Sequence, residues 1–302
     1  MEEVSKENVK KHFSKNGHEL QLITGFIASN SKNETTTLGR NGSNNSASLF
    51  ANFLDAVELG SYTHVMGLYT ANPALVSIAQ MIEELTYQEA NELASFGANI
   101  LHAKTIIPLV EKNIPLRLLN TFDDENKGTL IKSHATKKGI RSVTVQNNVS
   151  LINLEGRGLL GKIGVDARIF GALSKAGISV SIISQGSSER GIGFVVSRED
   201  AQHAKDILEI EFALDLKMKD VNRIYVKDDL SIVSIIGQNL TNFHKAYNAL
   251  AFNKVKPLLI NNTVTGDNIC LVLEEQDLNK AVNVIHGQIF GVSTNINVAI
   301  FG

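Results

Sequence analysis

Two stretches of this 302-residue chain carry residue types and spacings suited to chemistry. The first is Leu38-Gly-Arg-Asn-Gly-Ser43, a glycine-rich turn between an apolar run at 20–27 and the helically spaced apolar residues of 47–54. Strand, turn and helix in that order place the turn at a helix N-terminus, where free backbone N–H groups and the helix dipole favour an anion. Arg40 adds a guanidinium, which grips a carboxylate through two parallel hydrogen bonds. Alone, such a turn is more often just a tight turn, so its surroundings must decide. The second stretch, Gly156-Arg-Gly-Leu-Leu-Gly-Lys162, nearly spells a phosphate-binding loop. Ile163 stands where that loop needs a Ser or Thr hydroxyl for magnesium, so it reads as a strand-to-helix connection. His102, His203, His244 and His286 lack metal-ligand spacing, and no metal site is expected. Cys270, inside the apolar strand Ile269–Leu273, reads as core. Glu189 and Arg190 form one isolated pair of opposite charges on a solvated hairpin.

The elements that must position these residues alternate. Residues 1–18 predict a polar helix and turn, 20–27 a strand, and 47–54 a helix. Tyr62–Tyr69 predicts a second strand and turn, closed by Asn72-Pro73. Residues 77–95 predict one long helix, with Thr86-Tyr-Gln-Glu89 at capping-box spacing. Phe96-Gly97 ends it, and 100–112 and 115–121 complete a helix and a strand. This alternation argues for an α/β architecture. Residues 132–147, polar with a basic cluster, predict a linker passing into a short strand, and a domain boundary. Beyond it a β-α-β-β-α order occurs twice, each pass roughly 75 residues, as in tandem ferredoxin-like modules. The first pass comprises strands at 149–154, 179–184 and 192–197 and helices at 164–176 and 200–212. The second comprises strands at 230–236, 256–261 and 269–273 and helices at 241–253 and 276–288, with a closing strand at 296–301. Neither copy buries much surface alone, so the two should pack side by side.

Composition narrows the function classes. Lys+Arg (29) nearly balance Asp+Glu (31), without a basic stripe interleaved with aromatics, so nucleic acid is not an expected partner. No window offers the ~18 uninterrupted apolar residues of a membrane helix. The start, MEEVSKENVKKHF, resembles neither a signal nor a transit peptide. With a single cysteine, a reducing cytoplasm is the expected compartment. Small molecules and further copies of the chain are the expected partners.

The motifs in order resemble those of aspartate kinases. Thr36-Thr-Leu-Gly-Arg-Asn-Gly-Ser43 resembles the family's TTLGRxGSD element, and Tyr62–Pro73 (YTHVMGLYTANP) resembles WTDVDGVYTxDP. Tyr87–Ala98, Ile100-Leu-His102, Asn120-Thr121 and Gly128–Ile131 resemble the later kinase blocks. Ser184-Gln-Gly-Ser-Ser-Glu189 resembles the sensing segment of bifunctional aspartate kinase–homoserine dehydrogenases. The resemblance implies the C-terminal lobe of an amino-acid-kinase sandwich (1–131), a linker (132–147) and two ACT modules (148–229 and 230–302). It implies ATP-dependent phosphorylation of the aspartate β-carboxylate, on the way to lysine, threonine and methionine, with Mg2+ bridging phosphates. By position, Phe26, Arg40 and Ser43 would line the aspartate site, Arg40 and Asn44 would be catalytic, and Thr63, Gly67 and Tyr69 would contact nucleotide. Threonine would bind at Gln185, with Ser187, Ser188 and Glu189 shaping the loop and Asn262 in the matching place of the second repeat. A buried amide such as Gln185 both donates to a carboxylate and accepts from an ammonium. A homo-oligomer formed through the ACT modules is also expected.

The departures are specific. Asn44 stands where the family has a catalytic Asp, His64 replaces the first Asp of TDVDG, and Met66 stands where relatives carry Asp or Pro. Ala74 and Asn99 replace basic residues that reach phosphate in some members. The KFGG-type strand and the aspartate-holding Glu of the first half of the kinase domain are expected to lie outside this chain, leaving it inactive by itself. The alternative is a non-catalytic amino-acid-binding protein that pairs with a kinase chain. Ile296–Gly302 is expected to open a dinucleotide-binding strand, with NADP as a cofactor only if a dehydrogenase domain followed.

Overall fold

The computed structural model describes residues 2–16, 20–39, 41–97, 103–159, 162–185 and 191–291. The chain is α/β, and its residues group into two compact units. One comprises Met1–Ser142 and Ile236–Asn242, the other Val143–Ile235 and Phe243–Gly302.

The first unit opens with α1 (Glu2–Asn16), whose acidic first turn and basic Lys15 suit the helix dipole and which buries no residue. The expected strand at 20–27 is much shorter: only β1 (Ile27–Ser29) forms, paired antiparallel with β2 (Thr35–Thr37). Leu20 and Leu22 are fully exposed. The break has a local cause. The Ile27 N–H donates to the Gly25 carbonyl at 2.9 Å across Phe26, whose φ is 73°. That is a γ-turn, which no strand can pass through.

Next come α2 (Gly42–Phe53) and β3 (Leu59–Thr63). The predicted long helix at 77–95 divides into β4 (Glu84–Thr86) and α3 (Tyr87–Ser95). Backbone groups before β4 are committed elsewhere: Thr70 N–H donates to Gln80 O and Ile82 N–H to Leu68 O, each at 2.8 Å. Thr86 then caps α3 in the capping box legible in the sequence, with Glu89 N–H donating to its hydroxyl and Glu89 accepting from Thr86 N–H. α4 (Ala103–Lys112), β5 (Leu116–Asn120) and β6 (Thr129–Lys132) come after it. The sheet order is β3-β5-β6-β4, with β3 parallel to β5, β6 antiparallel to β5, and β4 parallel to β6. Alternate residues Leu116, Leu118, Ile131 and Leu85 form a core with Ala90 and Leu93 of α3 and Ile106 and Leu109 of α4. Each of the leucine and isoleucine side chains contributes ~1.5–3 kcal/mol on burial.

The short strand expected at the end of the 132–147 segment is long: β7 starts at Gly139 and runs unbroken to Glu155. The second unit continues with α5 (Val165–Lys175), β8 (Ile182–Gln185), β9 (Gly191–Ser197) and α6 (Arg198–Glu211), then α7 (Ala213–Met218), which the pattern did not announce. The second pass is β10 (Arg223–Gln238), α8 (Phe243–Phe252), β11 (Leu259–Asn262), β12 (Asn268–Glu274) and α9 (Leu278–Phe290). The six-stranded order β11-β12-β10-β7-β9-β8 places the two repeats side by side, as expected, with β7 and β10 central. Close pairs Glu155–Arg223, Asn153–Tyr225, Ser150–Asp228 and Asn147–Ser231 show that these two strands run antiparallel. Alternation along β7 and β9 buries Ile152, Leu154, Phe194 and Val196 against Ile169 and Leu173 of α5 and Ala204 and Leu208 of α6. Cys270 is core, its sulfur 3.2 Å from Ser234 Oγ. The compact units divide within β7 and β10, after Ser142 and after Ile235, rather than at element ends. Among the described residues no helix is long and apolar enough to cross a membrane. The strand expected at 296–301 lies outside the described residues.

Candidate functional site

In the first unit, Phe26 and Ser43 come together at the start of α2. Phe26 N–H donates to Ser46 Oγ at 3.0 Å, and Ser46 Oγ donates in turn to Gly42 O at 3.0 Å. Glycine is needed on both sides of this contact. A Cβ at Gly42 would lie 2.8 Å from the Phe26 ring, and one at Gly25 would lie 2.9 Å from Ser43 Cα. The helix start carries no side-chain cap, because Asn41 sits in the left-handed region at φ 60° and makes no cap hydrogen bond. Exposed Ser43 and Asn44 therefore occupy a first turn without a side-chain cap, where free backbone N–H groups favour negative charge. Arg40 lies outside the described residues. Ser46 was missed by sequence reasoning, and a buried serine one helical turn past a glycine is too common a pattern to signal it.

Thr63 ends β3, and Gly67 and Tyr69 lie in the segment that follows it. Thr63 pairs with Asn120 across β3 and β5, and its carbonyl accepts from Thr121 N–H at 2.8 Å and Thr121 Oγ1 at 3.1 Å. His64 Nδ1 lies 3.4 Å from Thr63 Oγ1, and the His64 carbonyl accepts from Asn120 Nδ2 at 3.3 Å. Buried Thr129 organises the far side of the turn: its Oγ1 accepts from Leu68 N–H at 2.9 Å and donates to Ile82 O at 2.6 Å. The Tyr69 carbonyl accepts from Ser142 Oγ at 2.8 Å. Met66 takes a contact from Asn126 Nδ2 at 3.6 Å. A threonine at the start of an apolar strand was the available signal for Thr129. Among the described residues no group of three or more His, Cys, Asp or Glu side chains converges on a metal position.

In the second unit, Gln185 ends β8 opposite Ile192 of β9. It lines a cavity of about 310 Å³ together with Leu159, Lys162 and the residues Gly164–Asp166 that open α5. Gly164, at φ 87°, starts α5 without a side-chain cap. Gln185 is exposed rather than buried as expected, because the last residue of an edge strand has a neighbour on one side only. Asn262 ends β11 opposite Ile269 of β12, the same place in the second repeat. Ser187, Ser188 and Glu189 lie outside the described residues.

The near-phosphate loop is structural, as its Ile163 indicated. A Cβ at Gly158 would collide with Asp220. Lys162 is held by Asp220 at 2.7 Å and Asp215 at 2.9 Å, and those hydrogen bonds raise its pKa.

An amino acid kinase family model matches residues 1–120, and an ACT domain model matches residues 152–212. The bifunctional aspartokinase/homoserine dehydrogenase of Haemophilus influenzae is 35% identical over 93% of this chain, which spans 35% of that protein. Lysine-sensitive aspartokinase 3 of Escherichia coli is 30% identical over 90% of the chain, which spans 60% of it. The crystal structure of E. coli aspartokinase III in complex with aspartate and ADP matches 92% of this chain with a TM-score of 0.76 at 28% identity, and the chain covers 62% of it. The chain thus spans less than two thirds of the length of each of these relatives. It thus carries an amino acid kinase match followed by an ACT domain match, and over most of its length it is similar to aspartokinases.

Proposed function

We propose that this chain serves an aspartate kinase that phosphorylates the β-carboxylate of aspartate with ATP and is regulated by threonine. The observation that carries the kinase reading is the strained contact between Phe26 and the uncapped start of α2. A non-glycine residue held at φ 73° costs of order 1–3 kcal/mol, and such strain clusters at ligand sites. In this reading Phe26, Arg40 and Ser43 hold the aspartate, Arg40 and Asn44 face the reacting groups, and Thr63, Gly67 and Tyr69 hold the nucleotide. The E. coli relative whose structure contains aspartate and ADP supports aspartate and an adenine nucleotide as the ligands. Magnesium would be held largely by nucleotide phosphates, since Asn44 and His64 lack the charge a cation draws on.

The ACT assignment of the two repeats, 148–229 and 230–302, rests on their shared sheet order. The cavity at Gln185 supports an amino-acid ligand. The N–H groups that open α5 suit a carboxylate, and the amide accepts from an ammonium. Threonine is the effector suggested by the resemblance of Ser184–Glu189 to the bifunctional enzymes. Lysine, bound by an E. coli neighbour, is the competing effector.

We also infer that this polypeptide alone does not phosphorylate aspartate. Asn44 and His64 stand where the family pattern has two carboxylates. Those features equally favour the second reading, a non-catalytic amino-acid-binding protein that pairs with a kinase chain. Nicotinamide chemistry is not assigned to these residues. A reduced, buried Cys270 is in keeping with a cytoplasmic setting. The test uses purified chain with ATP, magnesium and aspartate, alongside calorimetry with threonine. Threonine heat without aspartate-dependent ADP release is expected; ADP release that requires aspartate overturns the inactivity, and absence of heat overturns the threonine site.

A further inference from the structure

A cavity of about 590 Å³ lies in the first unit beside the start of β7, within the size range of small-molecule sites. Four cationic side chains line it: Arg117, Lys127, Lys137 and Arg141. The neighbouring carboxylates do not neutralise all of them. Arg117 already grips Glu58 through two bonds, at 2.9 and 3.0 Å. Glu84 is taken by Lys132 at 2.7 Å and by Thr136 through Oγ1 at 2.6 Å and N–H at 3.1 Å. Glu83 reaches only Lys137, at 3.8 Å, with both side chains exposed. Arg141 is the least satisfied. It is 9% exposed, one terminal nitrogen donates to Glu84 O at 2.5 Å, and its Nε has no hydrogen-bond partner. An almost fully buried arginine is ordinarily paired, and an unbonded buried N–H is costly.

We propose that this cavity is an oxyanion site for a small molecule bearing a phosphate or carboxylate group. Arg141 lines the cavity, and a guanidinium carries a planar set of donors that matches two oxygens of either group. Lys127 and Lys137 add charge at the exposed side, and Met81 and Leu130 offer the ligand's carbon frame an apolar wall. The site uses none of the residues assigned above to aspartate, nucleotide or amino-acid effector. Failure of the kinase reading therefore leaves it standing.

The test titrates the full chain by calorimetry with inorganic phosphate and, separately, with malonate, against a chloride background of equal ionic strength. Saturable binding of at least one anion is expected, and the tighter arm names the group. Arg141→Lys keeps the charge but loses the fork and should weaken binding about tenfold or more, the loss of one charge-assisted contact. Should Arg141→Lys fail to fold, the exposed double variant Lys127→Ala/Lys137→Ala decides, again with about a tenfold loss expected. Absence of saturable binding in both arms overturns the proposal, as does binding that the folded variants leave unchanged.

Discussion

Gln185 and Asn262 occupy one register position in two copies of the same hairpin, Gln185 opposite Ile192 and Asn262 opposite Ile269. The residues after them differ, Gly-Ser-Ser-Glu189 in the first copy and Thr-Val-Thr-Gly266 in the second. Past Asn262 the chain turns tightly, with Thr263 Oγ1 accepting from Asp267 and Asn268 N–H groups at 3.2 Å each. Unequal effector sites are therefore expected, the stronger at Gln185. Gln185→Ala should weaken threonine binding by about tenfold to a hundredfold, the value of a hydrogen bond to a charged group. Asn262→Ala should leave the stronger site intact. Calorimetry showing the same affinity for Gln185→Ala and its parent would refute this.

Ser46 should matter to stability although it meets no proposed ligand directly. Its hydroxyl joins Phe26 N–H to the first turn of α2. Ser46→Ala should cost about 1 kcal/mol and lower the urea midpoint at unchanged slope. An unchanged midpoint would mean that the γ-turn at Phe26 is held by its glycine contacts alone.

Glu84 carries the clearest acid dependence. Hydrogen bonds from Lys132 and then Thr136 lower its pKa from 4.5 to about 2. The stabilisation is thus complete above the unfolded value and is lost as pH falls from about 4.5 to about 2. With the side chain 28% exposed, its worth is discounted to about 1 kcal/mol. Glu84→Gln should be less stable than its parent by that amount at neutral pH, with the difference closing at the acid end. A gap that persists at pH 2 in denaturant titrations would show that the effect is not electrostatic.

An assembly through the second unit is expected from its sheet edges. β8 and β11 end the hydrogen-bonded order and approach each other within the unit, and they leave the side chains of Ile183 and Ile260 exposed. Edge strands with apolar side chains invite pairing with a second copy. Light scattering at micromolar concentration should give at least a dimer, and Ile260→Lys should shift the mass downwards. A monomeric parent would count against the assembly.

Much of the fold was legible because it obeys local rules. The period-two burial of β7 and β9, the capping box of Thr86 and Glu89 and the repeat of β-α-β-β-α are written in neighbouring residues. The misread segments fail for non-local reasons. Residues 77–83 have apolar spacing that also suits a helix, but their backbone bonds go to the segment 68–70. The strand that ends the polar segment 132–147 looks short, yet its residues pair with β10 far along the chain.

The sequence by itself determined the resemblance to aspartate kinases, the α/β class and the glycine-containing turns that lead into α2 and α5, because motif order and glycine placement are local properties. Only the tertiary structure decided that Ser46 holds Phe26, that Thr129 braces the turn at Gly67, and that Arg141 is buried with an unbonded Nε beside a cavity. Each of these joins elements distant in the chain or turns on burial, and a side chain's partners and desolvation are set by what packs on it rather than by what precedes it.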